Sequence, residues 1–218
     1  MKIHHLGAHS SIINRFIAEL RDAAMQTDSM RFRRNVERIG EIFAYEISKE
    51  MSSEVLTVQT PLGLAELPVP CEEVLIASII RAALPMHQGM LGYFDKAQNA
   101  FISAYRKYGK DNKCTISLEY VSCPNIDDKT VILCDTMLAT GASMELAYRA
   151  LRARGTPRKT HIASIIASKD GVAHIKKNLG INKELSLWVG AIDDELTVKS
   201  YIVPGLGDAG DLAYGDKL

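Results

Sequence analysis

Residues 131–143 constrain the fold of this chain more than any other segment. An apolar, β-branched run at 131–134 predicts a buried strand, which ends at a single acid, Asp135. A short loop and a helical pattern follow, and a helix N-terminus presents unpaired N–H groups and the positive end of its dipole. That environment suits a phosphate, and an acid beside it indicates a sugar phosphate whose ribose hydroxyls donate to Asp135. On spacing alone, an ordinary strand–helix loop with a Ser N-cap is the alternative.

An alternating pattern of strands and helices runs through the chain after residue 71. Short apolar runs predict strands at 74–80, 100–105, 115–121, 130–134, 161–167 and 185–189. Helical patterns lie between them, beginning at Pro85 and covering 143–154 and 171–178. This alternation predicts an α/β fold in which helices flank a mostly parallel sheet, and ligands bind such sheets at the carboxyl ends of the strands.

The first 70 residues have a different pattern. Two amphipathic helices are predicted over 10–25 and 29–51, and they are followed by a hairpin whose strands, 55–60 and 64–69, flank a turn. A hairpin between helices and a parallel sheet is a candidate arm for assembly into a homo-oligomer. We predict one domain over 1–218, with the helices and the β-arm in 1–70 and the core sheet in 71–190.

The charge and cysteine content argue against several classes of partner. Lys and Arg number 26 and Asp and Glu also number 26, so no global field recruits nucleic acid or a membrane. We find no apolar stretch long enough to span a bilayer and no signal-peptide core at the N-terminus. The cysteines form no C-x-x-C pair, which favours reduced thiols in a cytoplasmic protein. Arg31, Arg33 and Arg34 have acids nearby and are interpreted as a solvated helix face rather than an RNA site.

The segment 134–143 resembles the 5-phosphoribosyl 1-pyrophosphate (PRPP) motif of the type I phosphoribosyltransferases. Met137 and Leu138, ahead of Ala-Thr-Gly, are similar to the uracil phosphoribosyltransferase branch in particular. The resemblance implies that the PRPP-binding residues here are Asp135, Thr136, Met137, Leu138, Ala139, Thr140, Gly141, Ala142 and Ser143.

Two further segments carry weaker resemblance. Residues 79–86 are similar to the family's pyrophosphate loop, which implies that Arg81 binds PRPP; Ala83 and Pro85 stand where the family has glycines, which allow close phosphate approach. Residues 104–111 match the start of the family's mobile loop over the reacting centre, with Arg106 as its PRPP-binding, catalytic arginine. A solvated arginine and a plain surface connection are the respective alternatives.

The C-terminal segment 201–211 gives the most specific match. Its glycines formally fit G-x-G-x-x-G, but we expect neither a helix nor a second strand after them, so a dinucleotide-binding fold is rejected. The segment closely resembles the family's uracil-binding loop, which implies a C-terminal hood over 191–218. It also implies that Asp208 is catalytic and reaches PRPP. The uracil-binding residues would be Ile202, Gly207, Asp208 and Ala209. The chain has Leu212 where the family has Arg.

Taken together, the resemblance implies a type I phosphoribosyltransferase-like fold and the reaction of uracil with PRPP to UMP and pyrophosphate, in pyrimidine salvage. Asp135, Arg106 and Asp208 would be the catalytic residues. Mg²⁺ would be bound mainly through PRPP, since the sequence offers no carboxylate cluster and we predict no protein metal site. The implied assembly is a homodimer or larger, with GTP as a candidate effector. Two alternatives stay open: a type I transferase for another base, and a regulatory or RNA-binding protein that retains the nucleotide pocket.

Overall fold

The computed structural model describes residues 1–108 and 114–216, except for the side chains of residues 105–108 and 114–117. The strands are β1 (Lys2–His5), β2 (Ser53–Thr60), β3 (Gly63–Pro70), β4 (Val74–Ile80), β5 (Gln98–Tyr108), β6 (Cys114–Ser122), β7 (Thr130–Leu138), β8 (Lys159–Ser168), β9 (Leu185–Asp193), β10 (Glu195–Leu196) and β11 (Ile202–Val203). The α-helices are α1 (Ile12–Arg21), α2 (Ser29–Ser48), α3 (Leu84–Leu91), α4 (Ala142–Arg152), α5 (Lys169–Leu179) and α6 (Ala209–Tyr214).

A seven-stranded sheet forms the centre of the molecule, in the order β1-β9-β8-β7-β4-β5-β6. Its neighbouring strands are parallel except for β5 and β6, which are antiparallel. One apolar cluster joins α1, α2 and α3 to one face of the sheet, and a second joins α4 and α5 to the other. The prediction of a mostly parallel sheet flanked by helices is therefore confirmed.

The sequence prediction missed β1, which pairs in parallel with β9 at the edge of the sheet. No periodicity marks this strand, because three of its four residues are exposed. Its place depends on a long-range contact: the ring of His4 stacks on Trp188, with centroids 3.6 Å apart. Trp188 is buried.

Several predicted boundaries are wrong. The first helix ends at Arg21 rather than at residue 25, because the Asp22 carboxylate accepts the N–H groups of Ala24 and Met25 in a turn. The second helix ends at Ser48 rather than at residue 51. Strand β7 continues four residues beyond 134, because its pairing with β8 runs on to Leu138 and Ala167.

The predicted hairpin is present as β2 and β3, which pair over eight residues each. Several of its apolar side chains are exposed, Leu62 at the turn completely so. Within the described part of the chain, none of the helices combines the length and the apolar character needed to cross a membrane.

Candidate active site

A cavity of about 530 Å³ opens at the carboxyl ends of β4 and β7 and is bordered by the C-terminal segment. It brings together three segments that are far apart in the sequence: the turn after β4, the end of β7 with the loop that follows, and the residues around 200–210. Among the predicted site residues, the lining includes Arg81, Asp135, Thr136, Met137, Leu138, Ala139, Thr140, Gly141, Ser143, Ile202, Gly207, Asp208 and Ala209. Ala142 is not part of the lining, and Ser103, Ser200 and Tyr201 are lining residues that were not predicted as site residues.

Asp135 lies within β7, near its carboxyl end, and the Thr136 hydroxyl donates to its Oδ1 at 3.5 Å. The nearby backbone N–H groups of Thr136 and Met137 lower the pKa of its carboxyl group. Burial, together with the negative charge of Asp208, nevertheless raises the pKa of Asp135 to about 7. Among the described residues, no Lys or Arg forms an ion pair with it. A partly buried carboxyl group with this pKa gains from hydroxyl donors, and a ribose would supply them.

The phosphate loop is shorter than predicted, since only residues 139–141 separate β7 from α4. Gly141 is the N-cap residue of α4, so the alternative of a Ser N-cap is wrong. Its φ is 82°, a left-handed conformation that favours glycine. A Cβ at Gly141 would lie 2.9 Å from Cδ2 of His174. Gly141 provides no capping side chain, and the N–H of Ala142 donates to Oγ1 of Thr140 at 3.4 Å. The start of α4 lines the cavity through Gly141 and Ser143.

Helix α5 supports this loop from behind. Ser168 is the N-cap of α5, where its Oγ accepts the N–H of Gly171 at 2.8 Å and donates to the Ala139 carbonyl at 2.5 Å. A Cβ at Gly171 would lie 2.5 Å from the carbonyl oxygen of Leu138, so the two backbones touch. This support was not predicted from the sequence, although a Ser immediately before a helix is a recognisable N-cap signal.

The turn after β4 places Arg81 and Ala82 in the lining of the cavity. Ala83 and Pro85 stand where the family has glycines, and neither needs a left-handed backbone. Ala83 has φ −76°, and Pro85 lies in the first turn of α3, a position that proline favours. The guanidinium of Arg81 reaches the C-terminal segment, where Nη2 donates to Oδ1 of Asp211 and to the carbonyl of Gly215, each at 3.2 Å.

The C-terminal segment is anchored at its entrance by Asp193. Arg21 binds this carboxylate through both terminal nitrogens at 2.7 Å, and the N–H of Gly205 donates to it at 2.9 Å. Burial opposes ionisation, but Arg21 and the Gly205 N–H outweigh it and lower the pKa of Asp193. Gly205 itself has φ 56°, in the left-handed region.

Helix α6 contradicts the expectation that no helix follows the glycines. It begins at Ala209, and the Asp208 carboxylate caps it by accepting the N–H groups of Gly210 and Asp211 at 2.9 and 3.1 Å. The dinucleotide-binding interpretation remains excluded, because α6 has only six residues and no strand follows it in the described residues.

Arg33 also differs from its predicted role on a solvated face. Its Nη1 donates to the carbonyl of Ala213 at 2.7 Å, and its guanidinium lies 5.9 Å from the ring centre of Tyr214. Leu212, where the resemblance leads one to expect Arg, packs against the apolar cluster that contains α2 and α3. The C-terminal hood is thus anchored through Arg33 of α2 and Arg81 of the β4 turn.

Arg106 belongs to β5, where its backbone pairs with Ile116 of β6. The predicted mobile loop at 104–111 therefore begins within a strand. The side chain of Arg106 and residues 109–113 lie outside the described residues. Within the described part of the chain, no group of three or more His, Cys, Asp or Glu side chains is arranged to hold a metal ion.

Comparison with known proteins adds to this geometry. The family model for uracil phosphoribosyltransferase matches residues 8–216, which is nearly the whole chain. The chain belongs to the uracil phosphoribosyltransferase family. A uracil phosphoribosyltransferase from Porphyromonas gingivalis is 55% identical over 218 residues, and all of both chains is covered. One from Pyrococcus furiosus is 37% identical over 210 residues, covering 95% of this chain and 88% of its own.

Solved structures agree with this assignment at the level of the fold. The AQ2163 protein from Aquifex aeolicus superposes with a TM-score of 0.85 at 28% identity, covering 98% of each chain. A hypoxanthine phosphoribosyltransferase from Staphylococcus aureus has a TM-score of 0.50 at 12% identity over 74% of each chain, and this likeness concerns the fold alone. The molecule therefore has the type I phosphoribosyltransferase fold together with the uracil family's C-terminal segment.

Proposed function

We propose that this protein transfers the 5-phosphoribosyl group of PRPP to uracil, which gives UMP and pyrophosphate and serves pyrimidine salvage. The observation that carries the proposal is the shared cavity, in which the phosphate loop, Asp135, Arg81 and the hood residues 207–209 line one space. A phosphate site, a ribose acceptor, a cation for the leaving group and a base site are the four requirements of this reaction.

The phosphate loop would hold the 5-phosphate. Thr140, Gly141 and Ser143 line the cavity at the N-terminus of α4, where the backbone N–H groups of the first turn and the helix dipole favour an anion. Oγ1 of Thr140 accepts a hydrogen bond from the N–H of Ala142, with 3.4 Å between oxygen and nitrogen. The backbone of 136–139 then continues along the cavity toward Asp135 and positions PRPP against the end of β7.

Asp135 would accept hydrogen bonds from the ribose hydroxyls in its ionised form. As the pyrophosphate oxygen leaves, positive charge develops on the anomeric carbon, and a nearby carboxylate stabilises it. Uracil N1 would bond to that carbon as its bond to the pyrophosphate oxygen breaks; pyrophosphate leaves with the electron pair of that bond and takes up the N1 proton. Arg81 and Arg106 would compensate the negative charge on departing pyrophosphate, so positioning and electrostatics together lower the barrier.

The hood would read the base mainly through its backbone. Ile202 is buried and offers an apolar contact for the ring, while residues 207–209 border the cavity with backbone N–H and C=O groups. We assign Asp208 two roles. Its Oδ1 caps α6 and so fixes the start of this helix in the hood, and its negative charge acts on Asp135 and would reach PRPP.

Mg²⁺ is expected to reach the site with PRPP. Among the described residues, Asp135 and Asp208 are the acids that line the cavity, and no group of three or more potential metal ligands includes them. This donor set fits a hydrated ion held largely by PRPP oxygens. When bound, Mg²⁺ supplies charge neutralisation to the pyrophosphate group.

We extend the proposal to the wider context of the protein. The exposed apolar side chains of β2 and β3 support a role of this hairpin as an arm in a homodimer or larger homo-oligomer. We also propose a cytoplasmic location, a division into a helical and β-arm part (1–70), a core sheet (71–190) and a hood (191–218), and GTP as a candidate effector.

The choice of base tests the proposed function. Cytosine replaces the carbonyl and imide edge of uracil with an amine and a bare ring nitrogen, so two hood groups would lose their partners. We expect discrimination of about a hundredfold or more, at roughly 1–3 kcal/mol for each unpaired group. The measurement is direct competition among uracil, 5-fluorouracil, thymine, cytosine and hypoxanthine at saturating PRPP. Equal use of cytosine or hypoxanthine would contradict base reading by the hood, and PRPP binding without conversion of any base would favour a regulatory protein.

A further inference from the structure

The short helix α6 is held by groups from three separate parts of the chain. Asp208 caps its N-terminus, Arg33 of α2 donates to the carbonyl of Ala213 near its C-terminus, and Arg81 donates to the carbonyl of Gly215. Guanidinium groups at the C-terminal carbonyls of a helix also complement its dipole. The hood thus depends on an arginine that belongs to the pyrophosphate turn.

Arg81 contacts the hood at a second point, Asp211, and it uses the same nitrogen for both contacts. Nη2 donates to Oδ1 of Asp211 and to the Gly215 carbonyl, each at 3.2 Å. Among the described residues, Nε and Nη1 of Arg81 have no hydrogen-bond partner, while the residue lines the cavity. The two hood contacts therefore fix one end of the guanidinium and leave its remaining N–H groups for an anion in the cavity.

The ion pair itself provides little stability. The side chains of Arg81 and Asp211 are 37% and 31% exposed, and partly exposed pairs contribute little to folding. Its larger effect is on orientation, because an arginine side chain has many rotamers and a substrate that bound a disordered one would have to order it. The Asp211 carboxylate, which binds Nη2 of the guanidinium, reduces that cost before the anion arrives.

We propose that Asp211 is a positioning residue for the pyrophosphate group, acting through Arg81, and that this contact links the base-covering hood to the leaving-group site. The inference rests on the proposed function, because it assumes that Arg81 meets the pyrophosphate of PRPP. Asp211 itself does not touch the substrate. Its carboxylate holds the guanidinium in the orientation that receives pyrophosphate, and it does so only while the hood is in place.

The test compares Asp211→Asn with Asp216→Asn, a control that removes an exposed carboxylate from the same segment. Among the described hydrogen bonds and ion pairs, Arg81 binds Asp211 and Gly215 but not the Asp216 carboxylate. For Asp211→Asn we expect the KM for PRPP and the inhibition constant of pyrophosphate to rise about fivefold to tenfold, a usual size for coupling between contacting residues. The KM for uracil should change by less than about twofold, as should all constants of the control. Asp211→Glu should restore part of the loss.

A double-variant cycle separates positioning from simple anchoring of the hood. In an Arg81→Gln background, Asp211→Asn should have almost no further effect on the KM for PRPP, because the residue through which it acts is gone. Additive effects, or a rise in the KM for uracil with PRPP unchanged, would overturn the proposal in favour of anchoring. Calorimetry of inorganic pyrophosphate with each variant gives a readout that needs no turnover. Unchanged pyrophosphate affinity in Asp211→Asn would refute the inference, whereas an unmodified protein that converts no uracil would refute the proposed function.

Discussion

Glu19, on the side of α1 that faces α2, is buried, and Asp135, near the end of β7, is partly buried, yet the pKa values of the two acids move in opposite directions. Glu19 receives hydrogen bonds from Arg31, Asn35 and Arg15 at 2.8–3.1 Å, and the Arg31 bond foremost lowers its pKa to about 2. Among the described residues, Asp135 is near backbone N–H groups and the Thr136 hydroxyl but no cation, and burial raises its pKa to about 7. Glu19, a structural acid, pairs with arginines of the same chain. Asp135, in the cavity, has no ion pair among the described residues, so its carboxyl group is available to hydroxyl donors of a ligand.

The two acids also affect stability in opposite ways. Glu19 has a lowered pKa, so its stabilisation is present above its ordinary pKa of 4.5 and is lost as the pH falls toward about 2. Asp135 has a raised pKa, so the unfolded chain ionises first and the folded state loses stability as the pH rises from 3.8 to about 7. Asp135 in the cavity therefore lowers the free energy of unfolding at neutral pH.

The largest expected effect comes from Asp135→Asn, which keeps the shape of the side chain and removes its charge. We expect kcat/KM for PRPP to fall about a hundredfold, the usual scale for a charged contact that strengthens in the transition state. The melting temperature should stay the same or rise by about 2 °C, since a desolvated carboxyl group is removed. Initial rates at limiting PRPP and a thermal melt test both statements. Unchanged kinetics, or a clear loss of stability, would place Asp135 in the same class as Glu19.

A smaller effect is expected on the pH dependence of the unmodified protein. Because Asp135 ionises near pH 7, kcat/KM for PRPP should rise about tenfold from about pH 6 to about pH 8. The residual activity of Asp135→Asn should lack this step, and that variant is the matched control. A flat profile for the unmodified protein would mean that the carboxyl group is already ionised at pH 6, as Glu19 is.

The smallest effect on activity is expected from Glu19→Gln. Arg31 and Arg15 lose their acid but are 46% and 69% exposed, so water can solvate them. We expect the melting temperature at neutral pH to fall by about 2–5 °C, with kcat and both KM values unchanged. The difference from the unmodified protein should disappear as the pH falls below 4.5 toward 2. A loss of activity at full stability would show that the α1–α2 interface is not purely structural.

The local sequence pattern predicted the limits of an element correctly where those limits depend on the element's own residues. The limits of β4 agree with the prediction, because an apolar run, interrupted by Ser78 alone, ends at Arg81. The limits of β7 do not, because Asp135 and Thr136 have the composition of a loop and become a strand only through pairing with β8. The sequence around Arg33 likewise predicts a solvated side chain. Its hydrogen bond to the Ala213 carbonyl arises only because α6 packs beside α2.

The sequence by itself determined the α/β fold, the family and the segments that form the cavity, because apolar periodicity and short motifs are local properties of the chain. Only the tertiary structure decided how the charges in these segments are used. The pKa of Asp135 depends on burial by several elements, and Arg81 meets Asp211 across 130 residues of sequence. Desolvation and long-range ion pairs arise from packing, and packing is a property of the whole fold.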